Sequence, residues 1–100
     1  LPEQWYVYIV ECRKGAYYTG ITTDLNKRVA KHNAGKGAKA VRALGLPVQL
    51  VWCQVAKDKP YALRIEAAIK RMDRGNKAAL VRGASLGDTV WRDKCLKSTV

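Results

Sequence analysis

Two tyrosines ten residues apart, Tyr8 and Tyr18, lie in the short stretches Tyr6-Val7-Tyr8 and Tyr18-Thr19-Gly20. Arg28 and His32 follow four residues apart, and Glu66 stands inside a later helical pattern. These residue types are the parts that phosphodiester hydrolysis needs. A phenol or imidazole accepts and relays protons, a guanidinium fork matches phosphate oxygens, and a carboxylate holds a hard divalent cation. Each also has a plain structural reading. Tyrosine is common in strands, an Arg and a His on one helix face are often just solvated, and Glu66 also forms a favourable i,i+4 pair with Lys70.

Residues 5 to 12, WYVYIVEC, are β-branched and aromatic and predict a strand. Arg13 to Ala16 predict a turn and residues 17 to 21 its hairpin partner. A loop with an odd number of residues, such as Arg13 to Gly15, pairs Val10 with Tyr18 and Tyr8 with Gly20, so both tyrosines share a face; a two-residue loop separates them. Gly20 opposite Tyr8 then leaves room for a backbone to approach. Asp24, with Thr22 and Thr23, offers a cap to a helix reaching Asn33, on which Leu25 and Val29 are the buried pair. Arg28 and His32 lie roughly 40° apart around that helix, at the edge of its apolar stripe.

A glycine break at 35 to 37 precedes a short basic helix from about Ala38 to Leu44, ended by Gly45. The third strand, residues 48 to 55, is apolar on both faces. Asp58 caps a helix from about Pro60 to Met72 that buries Ala62, Ile65, Ala68, Ile69 and Met72. Glu66 sits roughly 40° from Ala62, beside that stripe. Asp73 caps a last helix, Arg74 to Val81, stopped by Gly83. Residues 84 to 100 show no period; Trp91 is the residue that would pin them to the body.

One hundred residues, 48% of them hydrophobic, make one domain with one modest core. Nineteen Lys and Arg against eight Asp and Glu give a formal net charge of +11. The excess is spread along the chain, which favours a positive surface for a polyanion over a local basic tail. The segment Asn33 to Arg42, NAGKGAKAVR, reads either as a solvated loop or as a phosphate-contacting rim built on Lys36, Lys39 and Arg42; the net charge favours the rim. Three widely spaced cysteines, Cys12, Cys53 and Cys95, form no zinc motif; Cys12 and Cys53 fall in apolar strand patterns and are expected to be buried thiols, in a reducing, cytoplasmic compartment. No apolar run of about 18 residues predicts a membrane span, and no secretory pattern opens the chain.

Taken together, these pieces resemble the GIY-YIG endonuclease superfamily over residues 5 to 82. Tyr6-Val7-Tyr8 stands for the first tripeptide, with Tyr6 in place of glycine, and Tyr18-Thr19-Gly20 for the second, with Thr19 in place of isoleucine. Arg28, His32 and Glu66 match the family's polar positions, and YTGITTDLNKRVAKHNAGKGAKA looks like the small single-domain bacterial members. The resemblance implies an α/β fold, a small three-stranded antiparallel sheet flanked by helices, filling residues 1 to 83. It implies a metal-dependent DNA endonuclease of low sequence selectivity, serving DNA repair or processing.

By that likeness Tyr18 acts as base or relay toward the attacking water and Tyr8 positions it. Arg28 neutralises phosphoryl charge, His32 supports proton transfer, and Glu66 holds one Mg²⁺ or Mn²⁺ ion. A phenol with a pKa of about 10 is a poor base at neutral pH, so nearby cations, Arg28, Lys27 and Lys14, are needed. Lys14, Lys27, Lys36, Lys39 and Arg42 are the expected nucleic-acid contacts. DNA is the expected partner, with RNA open, a protein partner as a source of specificity, and a monomeric state. Two alternatives stand beside the enzyme: a non-catalytic nucleic-acid-binding module of the same fold, and an adaptor that binds protein.

Overall fold

The run of β-branched and aromatic residues at the start of the chain forms the central strand of a three-stranded sheet. The computed structural model describes residues 3–83; the expectations placed on the tail, on Trp91 and on Cys95 lie outside them. Strand β1 (Trp5–Glu11) pairs antiparallel with β2 (Tyr17–Thr22) on one side and with β3 (Gln49–Ala56) on the other. Val7, Tyr8, Ile9 and Val10 are all buried, so both faces of β1 are covered. Their side chains alternate between faces and make the middle of the core, with Trp52 and Cys53 on β3 beside them. Between Ile9 and Val10 the register to β3 shifts by one: Ile9 faces Trp52 and Val10 faces Leu50, leaving Val51 as the extra residue of a bulge.

Among the described residues four helices flank the sheet: α1 (Leu25–Asn33), α2 (Lys39–Leu44), α3 (Lys59–Lys70) and α4 (Arg74–Val81). Three begin at an aspartate whose carboxylate accepts a backbone N–H three residues on, as the sequence predicts. Asp24 takes Lys27, Asp58 takes Tyr61 and Asp73 takes Asn76, at 3.0, 2.9 and 2.8 Å. The other end of α1 is fixed by Asn33. Its side-chain oxygen accepts the Val48 N–H at 2.7 Å and its amide donates to the Val48 carbonyl at 3.3 Å, which ties α1 to the entry of β3.

The sheet of three antiparallel strands flanked by helices is the architecture expected from the sequence. The apolar face of α3 is narrower than its composition predicts. Ala62, Ile65 and Ile69 are buried, but Ala68 is exposed. Ala68 lies roughly 90° round the axis from the middle of that stripe. Helix α3 also stops at Lys70, so Met72 packs half-buried from the turn beyond it. Cys12 and Cys53 are buried free thiols, as expected.

Because α1 carries both Arg28 and His32, its cap sets the stability of the element that positions them. Asp24→Ala should cost about 1 kcal/mol in urea denaturation. An unchanged midpoint and slope would show that Asp24 does not hold this helix end.

Candidate active site

The hairpin turn contains three residues, Arg13 to Gly15, between Cys12 and Ala16, whose N–H and C=O pair at 2.8 Å. That odd loop sets the register in which Tyr8 faces Gly20 and Val10 faces Tyr18, so Tyr8 and Tyr18 lie on one face as diagonal neighbours. The space opposite Tyr8 is not left open for another backbone. The Tyr8 ring itself lies across Gly20: a Cβ there would meet Tyr8 Oη at 2.6 Å and Cζ at 2.8 Å. Glycine at position 20 is what lets the phenol fold over its partner strand.

His32 reaches the same place from α1. It is only 1% exposed, well inside the surface position its spacing predicts. Its Nε2 and Tyr8 Oη form a buried hydrogen bond of 2.9 Å. The Tyr18 ring meets the imidazole edge-on, with centroids 5.6 Å apart, and the Tyr8 ring is 6.0 Å away. Nδ1 of His32 is buried without a hydrogen-bond partner. The backbone of Gly37 packs against it so closely that a Cβ at position 37 would collide with Nδ1. Gly37 therefore leaves room for the imidazole. A histidine three residues before the Gly35-Lys36-Gly37 break was the only sequence signal for this packing.

Charge around the pair is asymmetric. Burial pushes the Tyr8 phenol well above the ordinary phenol range; Tyr18 and Glu66 push in the same direction, and Arg28 opposes them. Burial likewise holds the His32 pKa below its usual value, helped by Arg28 and Lys31. Both groups are therefore neutral at neutral pH. If Tyr8 donates to Nε2, the one unpaired group is the Nδ1 proton. If Nε2 donates instead, the Tyr8 proton and the Nδ1 lone pair are both left unpaired, so donation by Tyr8 is the better arrangement.

Tyr18, Arg28, His32 and Glu66, all singled out from the sequence, thus fall within electrostatic or direct contact of Tyr8. Lys27, Arg28 and Lys31 also line a surface pocket with Thr22, Thr23 and Asp24. Lys14 is not part of this group. It sits in the hairpin turn beyond the end of β1, and the charges that shift Tyr8 are those of Tyr18, Arg28 and Glu66. Arg42 donates to the Gly35 carbonyl at 3.1 Å and braces the loop on which Lys36 is exposed; Lys39 is exposed on α2.

Glu66 keeps 19% of its side chain exposed, and Lys70 Nζ stands 3.5 Å from its Oε2. The structural pair predicted for these two residues is therefore present. Among the described residues no three His, Cys, Asp or Glu side chains converge on one point. A single hard carboxylate of this kind fits one Mg²⁺ or Mn²⁺ ion that takes its remaining ligands from water and phosphate.

A family model described as the GIY-YIG catalytic domain matches residues 4–79. The chain belongs to the GIY-YIG family. Its curated relatives bear the name UPF0213 protein. One from Vibrio cholerae is 49% identical over 84 residues, covering 83% of this chain and 82% of its own length. One from Streptococcus pneumoniae is 50% identical over 72 residues, 72% of each chain. The solution NMR structure of the UPF0213 protein BH0048 from Bacillus halodurans superposes with a TM-score of 0.52 at 43% identity, covering 79% of this chain and 83% of that one. The family and fold support a nucleic-acid-binding module. No helix among the described residues is long and apolar enough to cross a membrane.

Two outcomes follow from the His32 environment. Gly37→Ala should displace the imidazole and cost about 1–3 kcal/mol through overpacking, and NMR should show His32 ring signals shifted toward those of Tyr8→Phe. Ring signals like wild type would refute the contact. The pH dependence has a definite sign. His32 has a lower pKa folded than unfolded, so the unfolded chain takes up the proton first as pH falls. The stability it contributes is complete above its unfolded pKa of about 6.5 and is lost as pH falls below that value toward the folded one. Urea midpoints should drop between roughly pH 7 and pH 5, and His32→Gln should flatten that slope; an equal slope in the variant would overturn it.

Proposed function

We propose that this domain binds nucleic acid through its phosphates, with DNA as the partner. The proposal rests on one observation: Lys27, Arg28 and Lys31 line one pocket with Thr22, Thr23 and a single carboxylate, Asp24, beside the tyrosine and histidine cluster, in a chain whose net charge is +11. Guanidinium, ammonium and hydroxyl groups are the side chains that contact phosphate oxygens, and such contacts carry no sequence information. Lys36, Lys39 and Arg42 extend the positive field from the loop and α2.

The Tyr8–His32 hydrogen bond favours a second, finer reading, in which the same site cleaves the strand it binds. Arg28 would neutralise the charge that grows on the phosphoryl oxygens. Tyr18 would take or relay a proton from the attacking water. Tyr8 is too weak an acid to serve as an isolated base, since burial raises its pKa. It suits a relay, because it can accept one proton while passing its own to His32 Nε2, and no buried phenolate is left. Glu66 would hold one Mg²⁺ or Mn²⁺ ion, which when bound supplies electrophilic stabilisation to the leaving oxygen. The ion pair of Glu66 with Lys70 must open for that.

Binding and cleavage are measured separately. Engagement of about four to six phosphates should give a slope of log K on log salt of roughly −4 to −5; a flat response would defeat the binding proposal and favour a protein-binding adaptor. Nicking of plasmid and branched DNA with Mg²⁺ or Mn²⁺ tests the second reading. Tyr18→Phe and Glu66→Gln should each lower cleavage by about 10²-fold or more and leave DNA affinity nearly unchanged. Tight binding by a wild type that nicks nothing would leave the binding module as the whole function.

A further inference from the structure

We propose that the edge strand β2 carries a second phosphate contact at its start, made by Arg74 and Lys77 of α4, so that a nucleic-acid duplex lies along β2 from this contact to the cations of α1. The inference rests on the nucleic-acid-binding function proposed above and adds the track that the ligand follows.

A surface pocket lined by Ala16, Tyr17, Arg74 and Lys77 opens at the first residue of β2. Arg74 is held in place there twice. Its Nη2 donates to the Gly15 carbonyl at 2.9 Å, and its guanidinium stacks over the Tyr17 ring, 5.1 Å from the centroid. A guanidinium has five N–H donors, and the contact with Gly15 takes up part of one edge. The group is thus oriented before any ligand arrives, which lowers the entropy lost on binding. Lys77 lies three residues further along α4 on the same helix face. Arg13 and Lys14, both exposed in the hairpin turn beside Gly15, add to the positive field. Two carboxylates oppose it: Glu11 faces Tyr17 across the sheet, and Asp73 caps α4. Four cations outnumber them.

The second support is position. Strand order β2-β1-β3 puts β2 at an edge of the sheet. The Arg74 pocket lies at its start, and the pocket of Lys27, Arg28 and Lys31 includes Thr22 at its end. From Tyr17 to Thr22 the strand advances about 17 Å, the rise of roughly five base pairs of duplex. Tyr18 and Gly20 lie between the two pockets, with Tyr8 across from Gly20. Tyr17 and Thr22 point to opposite faces of β2, so a backbone that touches both pockets crosses the exposed edge of the sheet between them, which gives Lys14 and Arg74 a use that neither has in the proton-handling cluster.

The test is a salt titration of binding to a DNA duplex of about two helical turns. Wild type is compared with Arg74→Ala/Lys77→Ala, with Lys77→Ala alone and with Lys27→Ala/Lys31→Ala. Each cation that meets a phosphate should lower the salt slope by about 1 when removed. The Arg74/Lys77 pair should therefore lose about 2, Lys77→Ala about 1, and Lys27/Lys31 about 2, with weaker binding to every sequence. Lys77→Ala keeps the test valid if loss of Arg74 disturbs the hairpin turn. Wild-type slopes for Lys77→Ala and for the folded Arg74/Lys77 variant, alongside a reduced slope for Lys27/Lys31, would overturn the second contact and leave the α1 site standing. Wild-type slopes in all of them would defeat the underlying binding function as well.

Discussion

The hydrogen bond between Tyr8 and His32 joins the middle of the central strand to the last turn of α1, and the rest of the site is arranged around it. Two groups so deeply buried must be paired or carry a desolvation cost of about 1–3 kcal/mol each. Pairing them demands close approach, and the sequence makes room on both sides. Gly20 has no side chain where the phenol lies, and Gly37 has none where the imidazole lies. Asn33, the next residue after His32, fastens the same helix end to the start of β3. A shift of α1 by a fraction of an ångström would therefore strain three contacts at once.

The same burial decides the electrostatics. Cations on α1 and Glu66 on α3 surround a phenol and an imidazole that are both neutral, so the centre has no buried charge of its own. The positive charges stand at its margin, where water still solvates them and a polyanion can reach them. This division between a neutral interior and a charged rim avoids the large cost of burying an unpaired ion and still leaves a field for phosphate.

Much of this was legible in the sequence because it depends on period and on local chemistry. Strand alternation and helix capping followed from short-range rules; the loop length stood open between an odd number and two, and the three residues of the turn set the register that places Tyr8 beside Tyr18. What was not legible depends on depth. Spacing put His32 at the rim of an apolar stripe and could not tell that a glycine five residues later lets the loop close over it. The exposure of Ala68 was hidden for a related reason: in a short helix, alanine marks a buried face poorly, because it is also the residue helices favour on their outer surface. Lys14 was close to Tyr8 only along the chain, since an extended strand carries each residue about 3.3 Å further away. Glu66 stayed ambiguous in the sequence, and its contact with Lys70 keeps the ion pair and the metal-ligand roles in competition for one carboxylate.

The bulge at Val51 acts as a slip joint in the sheet. Upstream of it the chain must leave α2, cross to the far edge and enter β3 at whatever phase the connection delivers. One uncommitted residue absorbs a mismatch in that phase before Trp52 and Cys53 take their places opposite Ile9 and Tyr8. Pairing next to the tyrosine is thereby insulated from changes in length before it. The connection between α2 and β3 is accordingly the part of this domain free to drift over evolutionary time while the register beside Tyr8 stays fixed.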